Sequence, residues 1–216
     1  MAARPDPFSP EGLPIDPARP LVIVDVDEVL AMFMAGFEAF VGRHGLEMRV
    51  DKFALFQNIY RPGELKHIDV PSGLKLFEDF FRQEHHEIEP VPGAAEALRG
   101  LAARAQVVIL TNAPDYARLG RGNWLRRHGM DYPMLINSGL KGAPVAALTA
   151  RSSARAAFVD DLLPNLESVA EAAPAVSTFQ MVADERLRAL SPAIPERHPR
   201  IDDWPSLKDA IETAIL

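Results

Sequence analysis

The sequence predicts a doubly wound α/β fold: a Rossmann-like core built on a parallel sheet, carrying an inserted and mainly helical subdomain. Three observations predict it. Short, uniformly apolar runs recur at residues 21–25, 106–110, 134–136, 156–160 and 176–182. They do not alternate apolar with polar residues, which is the pattern of strands covered on both faces. Between them lie stretches rich in Ala, Leu, Arg and Glu, at 93–104, 114–128, 163–173 and 204–215. Pro92-Gly93 reads as a turn into a helix, and Pro114 and Pro164 suit a first helical turn. Strand alternating with helix implies right-handed crossovers. The third observation is an interruption. About eighty residues separate the first two runs, where one crossover helix needs far fewer. Most of that interval, residues 31–89, is aromatic-rich and helically spaced, with Phe33, Phe37, Phe40, Phe53, Phe56, Tyr60, Phe77, Phe80 and Phe81. The expected organisation is therefore a leader at 1–20, a core at 21–30 and 90–216, and a helical cap at 31–89.

Composition narrows the function classes. The chain has 216 residues, 48% hydrophobic and 25% charged, which is the balance of a folded globular protein. A net charge of −7 with no dense Lys/Arg run argues against a nucleic-acid polymer as partner. The absence of cysteine removes disulfides, thiolate metal sites and cysteine nucleophiles. No apolar run reaches the roughly 18–20 residues of a membrane span. The leader holds prolines at positions 5, 7, 10, 14, 17 and 20 and no apolar stretch, so it reads as loosely ordered and not as a signal peptide. A cytoplasmic protein without a membrane partner is the expectation.

In open α/β sheets ligands bind beyond the carboxyl ends of the strands, so chemistry is sought there. The first run ends Asp25-Val26-Asp27-Glu28. Strand alternation puts Asp25 and Asp27 on one face, and two such carboxylates stay ionised together only near a cation. The second ends Leu110-Thr111-Asn112, a hydroxyl and backbone N–H groups able to hold a phosphoryl oxygen, or simply a good turn. Lys141 follows the third run in Gly139-Leu140-Lys141-Gly142. The fourth ends Val159-Asp160-Asp161, two carboxylates directly after buried residues, which costs stability unless they are paired or bind a metal. Asn165, a helical turn later, is placed to hydrogen-bond back to them. No one of these is specific; together they converge on one sheet edge.

That combination resembles the haloacid dehalogenase superfamily, over nearly all of the chain from Leu21 onward. Val24-Asp25-Val26-Asp27-Glu28-Val29 matches its first motif, Thr111 its second, Lys141 its third and Asp160-Asp161 its fourth. The insert sits where that family carries a helical C1-type cap. Glu28 departs from the pattern, which most often has Gly there. The resemblance implies a Mg²⁺-dependent phosphatase of small phosphorylated metabolites. Asp25 would be the nucleophile and Asp27 the acid/base. Thr111, Asn112 and Lys141 would bind the phosphate. Asp25, Asp160, Asp161 and the backbone carbonyl of Asp27 would serve the metal, with Asp161 the favoured direct ligand of the acidic pair. An Asp at position 27 favours phosphatase over dehalogenase. A phosphonatase using Lys52, Lys66 or Lys75, a phosphomutase, and a non-catalytic member of the fold are alternatives. Residues 77–98 are loosely similar to the deoxyribonucleotidase-type branch, which makes a nucleotide one substrate option.

Other features read as structural. Glu84-His85-His86-Glu87 places adjacent histidines about 100° apart on a helix, so it reads as solvated surface rather than a metal pair. His44 and His128, before Gly45 and Gly129, suit helix ends. Asp202-Asp203 before Trp204-Pro205 reads as a helix N-cap.

Overall fold

The computed structural model describes residues 8–216. The chain begins with β1 (Leu21–Val24) and leaves the sheet for α1 (Phe33–Arg43) and a ribbon of β2 (Glu47–Met48) and β3 (Ile59–Tyr60). It continues through α2 (Val70–Gln83) and returns by α3 (Ala94–Ala102) to β4 (Gln106–Thr111). Then follow α4 (Arg118–Arg127), β5 (Met134–Ile136), α5 (Gly142–Thr149), β6 (Ala156–Asp160), α6 (Leu163–Ala172) and β7 (Ser177–Gln180). A short α7 (Glu185–Arg188) and a C-terminal α8 (Trp204–Ile215) close the chain.

The five core strands are all parallel, in the order β5-β4-β1-β6-β7. The apolar runs are explained by burial on both faces. Val22 and Val24 of β1 join one cluster with Trp124, Leu98 and Ile211, whereas Leu21 and Ile23 join a second with Val145, Leu148, Leu166 and Val169. Helices α3, α4 and α8 thus cover one face, and α5 and α6 the other. The first crossover runs from β1 to β4, and the later one returns past it to β6. The topological switch point lies between β1 and β6, where ligands of such sheets bind.

Residues 8–20 are better ordered than their prolines suggest. Leu13 is buried in the second cluster, and its carbonyl accepts from Arg151 Nη2 at 2.8 Å. Gln106 Nε2 donates to the carbonyls of Asp16 and Arg19 at 2.8 and 3.0 Å. A proline-rich segment needs no regular structure when side chains satisfy its carbonyls. Residues 1–7 of the leader lie outside the described part.

The insert is built on α1 and α2, whose rings interlock: Phe33–Phe37 at 5.7 Å, Phe37–Phe80 at 5.3 Å and Phe40–Phe80 at 5.5 Å between centroids. Asp69 caps α2 by accepting from Ser72 N at 2.8 Å. The ribbon β2/β3 was not visible in the sequence, because two residues per strand leave no alternation to read. Both connections to the core are pinned by tryptophan. Trp204 Nε1 donates to Val29 O at 2.9 Å and Trp124 Nε1 to Ile88 O at 2.7 Å. The two connecting segments also pair with each other, Val91 N to Leu30 O at 2.8 Å and Met32 N to Glu89 O at 2.9 Å.

The remaining structural readings divide. Asp203 caps α8 through Ser206 N at 2.9 Å, and His44 Nδ1 lies 2.9 Å from Phe40 O at the end of α1. His85, however, is not solvated. It is buried beside Phe81, with its ring where any Cβ at Gly120 would sit. The segment therefore docks on α4 rather than facing water, and burial followed by the nearby Arg121 charge pushes His85 down to about 4.

Candidate active site

Asp25 follows β1 directly, and Asp160 is the last residue of β6. These strands are neighbours with Val24 opposite Val159, so the next residue on each is an aspartate at the same level. Asp161 extends the row by one. One carboxylate oxygen from each of Asp25, Asp160 and Asp161 lies within 4.8 Å of the others, and all three residues are buried. Residues 135 positions apart in the sequence are thus brought together by the parallel pairing alone.

Lys141 supplies the counter-charge. It stands at the N-cap of α5, fully buried, with Nζ 2.7 Å from Asp25 Oδ1 and 2.7 Å from Asp160 Oδ2. Burial opposes its charge, but Asp160 and Asp25 outweigh it and hold the amine above its ordinary range. Its position depends on Gly142, whose N–H donates to Ser168 Oγ at 3.1 Å. A Cβ there would stand 2.3 Å from the Ser168 carbonyl oxygen, so only glycine lets α5 approach α6 this closely.

Asp160 is fully engaged: Oδ2 takes the lysine, and Oδ1 accepts from Asn165 Nδ2 and Leu162 N, both at 2.9 Å. Asn165 reaches back as its spacing suggested. Burial pushes the Asp25 carboxyl up to about 7 against the pull of Lys141, and raises Asp161 well above the usual range, with Asp160 and Asp25 adding to it. Ionising all three carboxyls beside one ammonium would leave two negative charges uncompensated in a buried cluster, which a bound cation would relieve. The donor set is hard oxygen only, which fits a small divalent cation such as Mg²⁺. Among the described residues this is the only such group of three acidic or histidine ligands, so Glu84–Glu87 does not form a second.

Thr111 ends β4, fully buried, and its hydroxyl has no hydrogen-bond partner. Asn112 is exposed and ties that strand end to the loop before Lys141, donating from Nδ2 to Gly139 O at 3.0 Å.

Asp27 stands apart from the three. Both its oxygens accept from Arg121 Nη2, at 2.8 and 3.0 Å. Arg121 is wholly buried, its guanidinium 5.5 Å from the Phe81 ring centre, and its Nε and Nη1 have no partner. Sequence reasoning missed this residue. The signal available was its phase: Arg121 falls on the same helical stripe as Ala117, Trp124 and Leu125, all buried. A charged residue on an apolar face needs a partner.

Glu28, the departure in the first motif, is the described part's one non-glycine residue with positive φ, at 60°. Its side chain is 3% exposed. Oε1 accepts from Met34 N and Oε2 from Asp184 N, both at 2.7 Å, so one carboxylate serves the starts of α1 and α7 together. Burial pushes it up to about 7 although both N–H groups favour the charged form. Glycine would ease the backbone there; glutamate ties the insert to the core.

The cluster opens into a cleft of about 360 Å³ lined by Asp25, Asp27, Asn112, Lys141 and Asp161 on the core side and by the insert opposite. None of Lys52, Lys66 and Lys75 lines it; Lys52 and Lys75 instead pair with Asp51 and Asp79, so nothing favours the phosphonatase alternative.

A parallel sheet in this order, with an acidic cluster at its switch point, is the architecture of the haloacid dehalogenase-like hydrolases. Solved structures share the fold. A haloacid dehalogenase-like hydrolase from Burkholderia xenovorans superposes with a TM-score of 0.56 at 18% identity, covering 93% of this chain and all of the other. A hydrolase of the same superfamily from Bacillus subtilis, solved bound to magnesium, gives 0.56 at 16%, covering 90% and 99%. A structure described as a beta-phosphoglucomutase from Thermotoga maritima gives 0.57 at 13%, covering 89% and 98%. No curated protein matches in sequence. The chain belongs to the family described as 5′ nucleotidase, deoxy (pyrimidine), cytosolic type C protein, which it matches over residues 19–141.

Proposed function

We propose that this protein is a Mg²⁺-dependent phosphatase that hydrolyses a small phosphate monoester through an aspartyl-phosphate on Asp25, with the insert acting as a cap that sets specificity. The observation that carries the reading is the buried trio Asp25, Asp160 and Asp161, within 4.8 Å of one another and bridged by Lys141 at 2.7 Å. Asp25, Asp161 and the backbone carbonyl of Asp27 would hold the cation, with Asp160 turned to Lys141 and Asn165. When bound, the cation supplies Lewis-acid neutralisation of charge on the phosphoryl oxygens.

An oxygen of Asp25 attacks phosphorus in line; the bond to that oxygen forms as the bond to the leaving oxygen breaks. Asp27 gives its proton to the departing alkoxide. In the second half Asp27 takes a proton from water, the water oxygen bonds to phosphorus, and the Asp25–phosphorus bond breaks. Arg121 Nη2, bonded to both Asp27 oxygens, would orient that carboxyl for these transfers. Lys141 has spent two of its three N–H donors on Asp25 and Asp160, which leaves one for a phosphoryl oxygen. The unpartnered Thr111 hydroxyl and the Asn112 N–H would serve the other equatorial oxygens.

No helix among the described residues is long and apolar enough to cross a membrane. With the family's cytosolic description, this supports a cytoplasmic enzyme acting on a small phosphorylated metabolite, a nucleotide being the family's own suggestion. The test is hydrolysis of p-nitrophenyl phosphate with and without Mg²⁺, alongside Asp25→Asn. Metal-dependent turnover that Asp25→Asn abolishes is the expected result. No turnover across a broad panel of phosphometabolites would instead favour a binding protein on the same fold.

A further inference from the structure

We infer that Gln180 is a positioning residue of the metal site: it fixes the backbone of Asp161, so that this carboxylate meets the cation already aimed. The inference rests on the reading above, in which Asp161 holds the ion, and adds a residue from outside the acidic cluster. Asp25 and Asp160 are steadied through their side chains, both by Lys141 at 2.7 Å and Asp160 also by Asn165 Nδ2 and Leu162 N. The Asp161 carboxyl has no such hydrogen bond among the described residues. Its direction is therefore set by its own backbone.

That backbone is pinned at the peptide groups on either side. In the one before it, Asp160 O accepts from Met181 N at 3.2 Å. In the one after it, Leu162 N donates to Asp160 Oδ1 and the carbonyl of Asp161 accepts from Gln180 Nε2, both at 2.9 Å. Gln180 lies opposite Asp160 in the β6/β7 pairing and is wholly buried. Its amide is itself held, since Nε2 also donates to Pro192 O at 2.9 Å and to Ser191 Oγ at 3.2 Å. With carbonyls on that side, only the nitrogen of the amide can face them. Gln180 Oε1, in contrast, is buried without a partner. An unpaired buried acceptor carries a penalty that an apolar side chain of the same length would avoid. The amide thus contributes through its N–H groups, and one of these goes to Asp161. Groups that orient a metal ligand from behind matter to the metal nearly as much as the ligand itself.

The test is calorimetric titration of the full chain with MgCl₂, without substrate, for the native protein, Gln180→Met and Asp161→Asn. Methionine matches glutamine in length, asks for no hydrogen bond and removes both donors. The native protein is expected to bind Mg²⁺ and Asp161→Asn to lose that binding. Gln180→Met should bind at least about tenfold more weakly, the lower end of the usual cost of removing such a partner. The Mg²⁺ concentration for half-maximal hydrolysis of p-nitrophenyl phosphate should rise by the same factor. Gln180→Asn, whose amide is one methylene too short to reach Asp161 O, is the second variant should the first fail to fold. A weakening of less than about tenfold in the folded variant, whatever its urea midpoint, makes Gln180 a structural residue only. That result overturns this inference and leaves the phosphatase reading standing. No Mg²⁺ binding by the native protein, or binding that Asp161→Asn leaves intact, overturns both.

Discussion

Glu28 combines a backbone cost with a side-chain gain at one position. Its φ of 60° lies in the left-handed region, a cost of about 1–2 kcal/mol for a residue with a Cβ. Its carboxylate accepts from two buried N–H groups that would otherwise have no partner, and a hydrogen bond to a charged group is worth about 1.5–3 kcal/mol. Burial of the charge, which pushes this carboxyl up to about 7, offsets part of that gain, but leaving both N–H groups unpartnered would cost about 1–3 kcal/mol each, more than the strain. Glu28→Gly, although it restores the residue most common in the superfamily, is therefore expected to lower unfolding stability by about 2 kcal/mol in urea denaturation; a stabilised variant would show that backbone strain dominates. The sequence raised Glu28 as a departure but gave no view of this role, because Asp184 lies 156 positions away. Arg121 was hidden for the same reason, its partner Asp27 being 94 positions distant. Asp25, Thr111 and the 160–161 pair were legible because each stands at or directly after the end of a strand that announces itself by its apolar run, and Lys141 because it opens the helix after such a run.

At the scale of elements, the spacing between α5 and α6 sets where Lys141 stands. Two helices this close need a residue without a side chain at the contact, and Gly142 is that residue. In Gly142→Ala the added Cβ meets a backbone oxygen, which cannot rotate away, so α5 must move and Lys141 with it. The expected loss is about 1–3 kcal/mol of stability, the range for overpacking, together with a fall in kcat larger than in a control such as Gly122→Ala, whose Cβ would meet nothing within 4 Å. Equal kcat in the two variants would show that the lysine tolerates displacement. The five core strands and the helices around them were legible in the sequence, since burial on both faces imposes uniform apolarity and helices impose their own period. The ribbon in the insert and the tethering of residues 8–20 were not. One is too short for a pattern, and the other depends on donors from Gln106 and Arg151, far along the chain.

For the molecule as a whole, topology does most of the assembly. The order β5-β4-β1-β6-β7 makes β1 and β6 neighbours and opens the switch point between them. Two aspartates ending those strands must then meet, and a lysine entering α5 can reach both. The insert hangs on two connections, each held by a tryptophan N–H and paired to the other, so it is positioned over the same edge. A family match over residues 19–141 and folds at 13–18% identity agree on this one architecture. The central claim is that Asp25 becomes covalently phosphorylated during turnover. Borohydride added to the enzyme in steady-state turnover with Mg²⁺ reduces an acyl phosphate to the alcohol, converting the aspartate to homoserine, and peptide mass spectrometry locates it. Homoserine is expected at position 25 and nowhere else, dependent on both substrate and metal. Brisk turnover with an unmodified Asp25, or modification at a different aspartate, would contradict it.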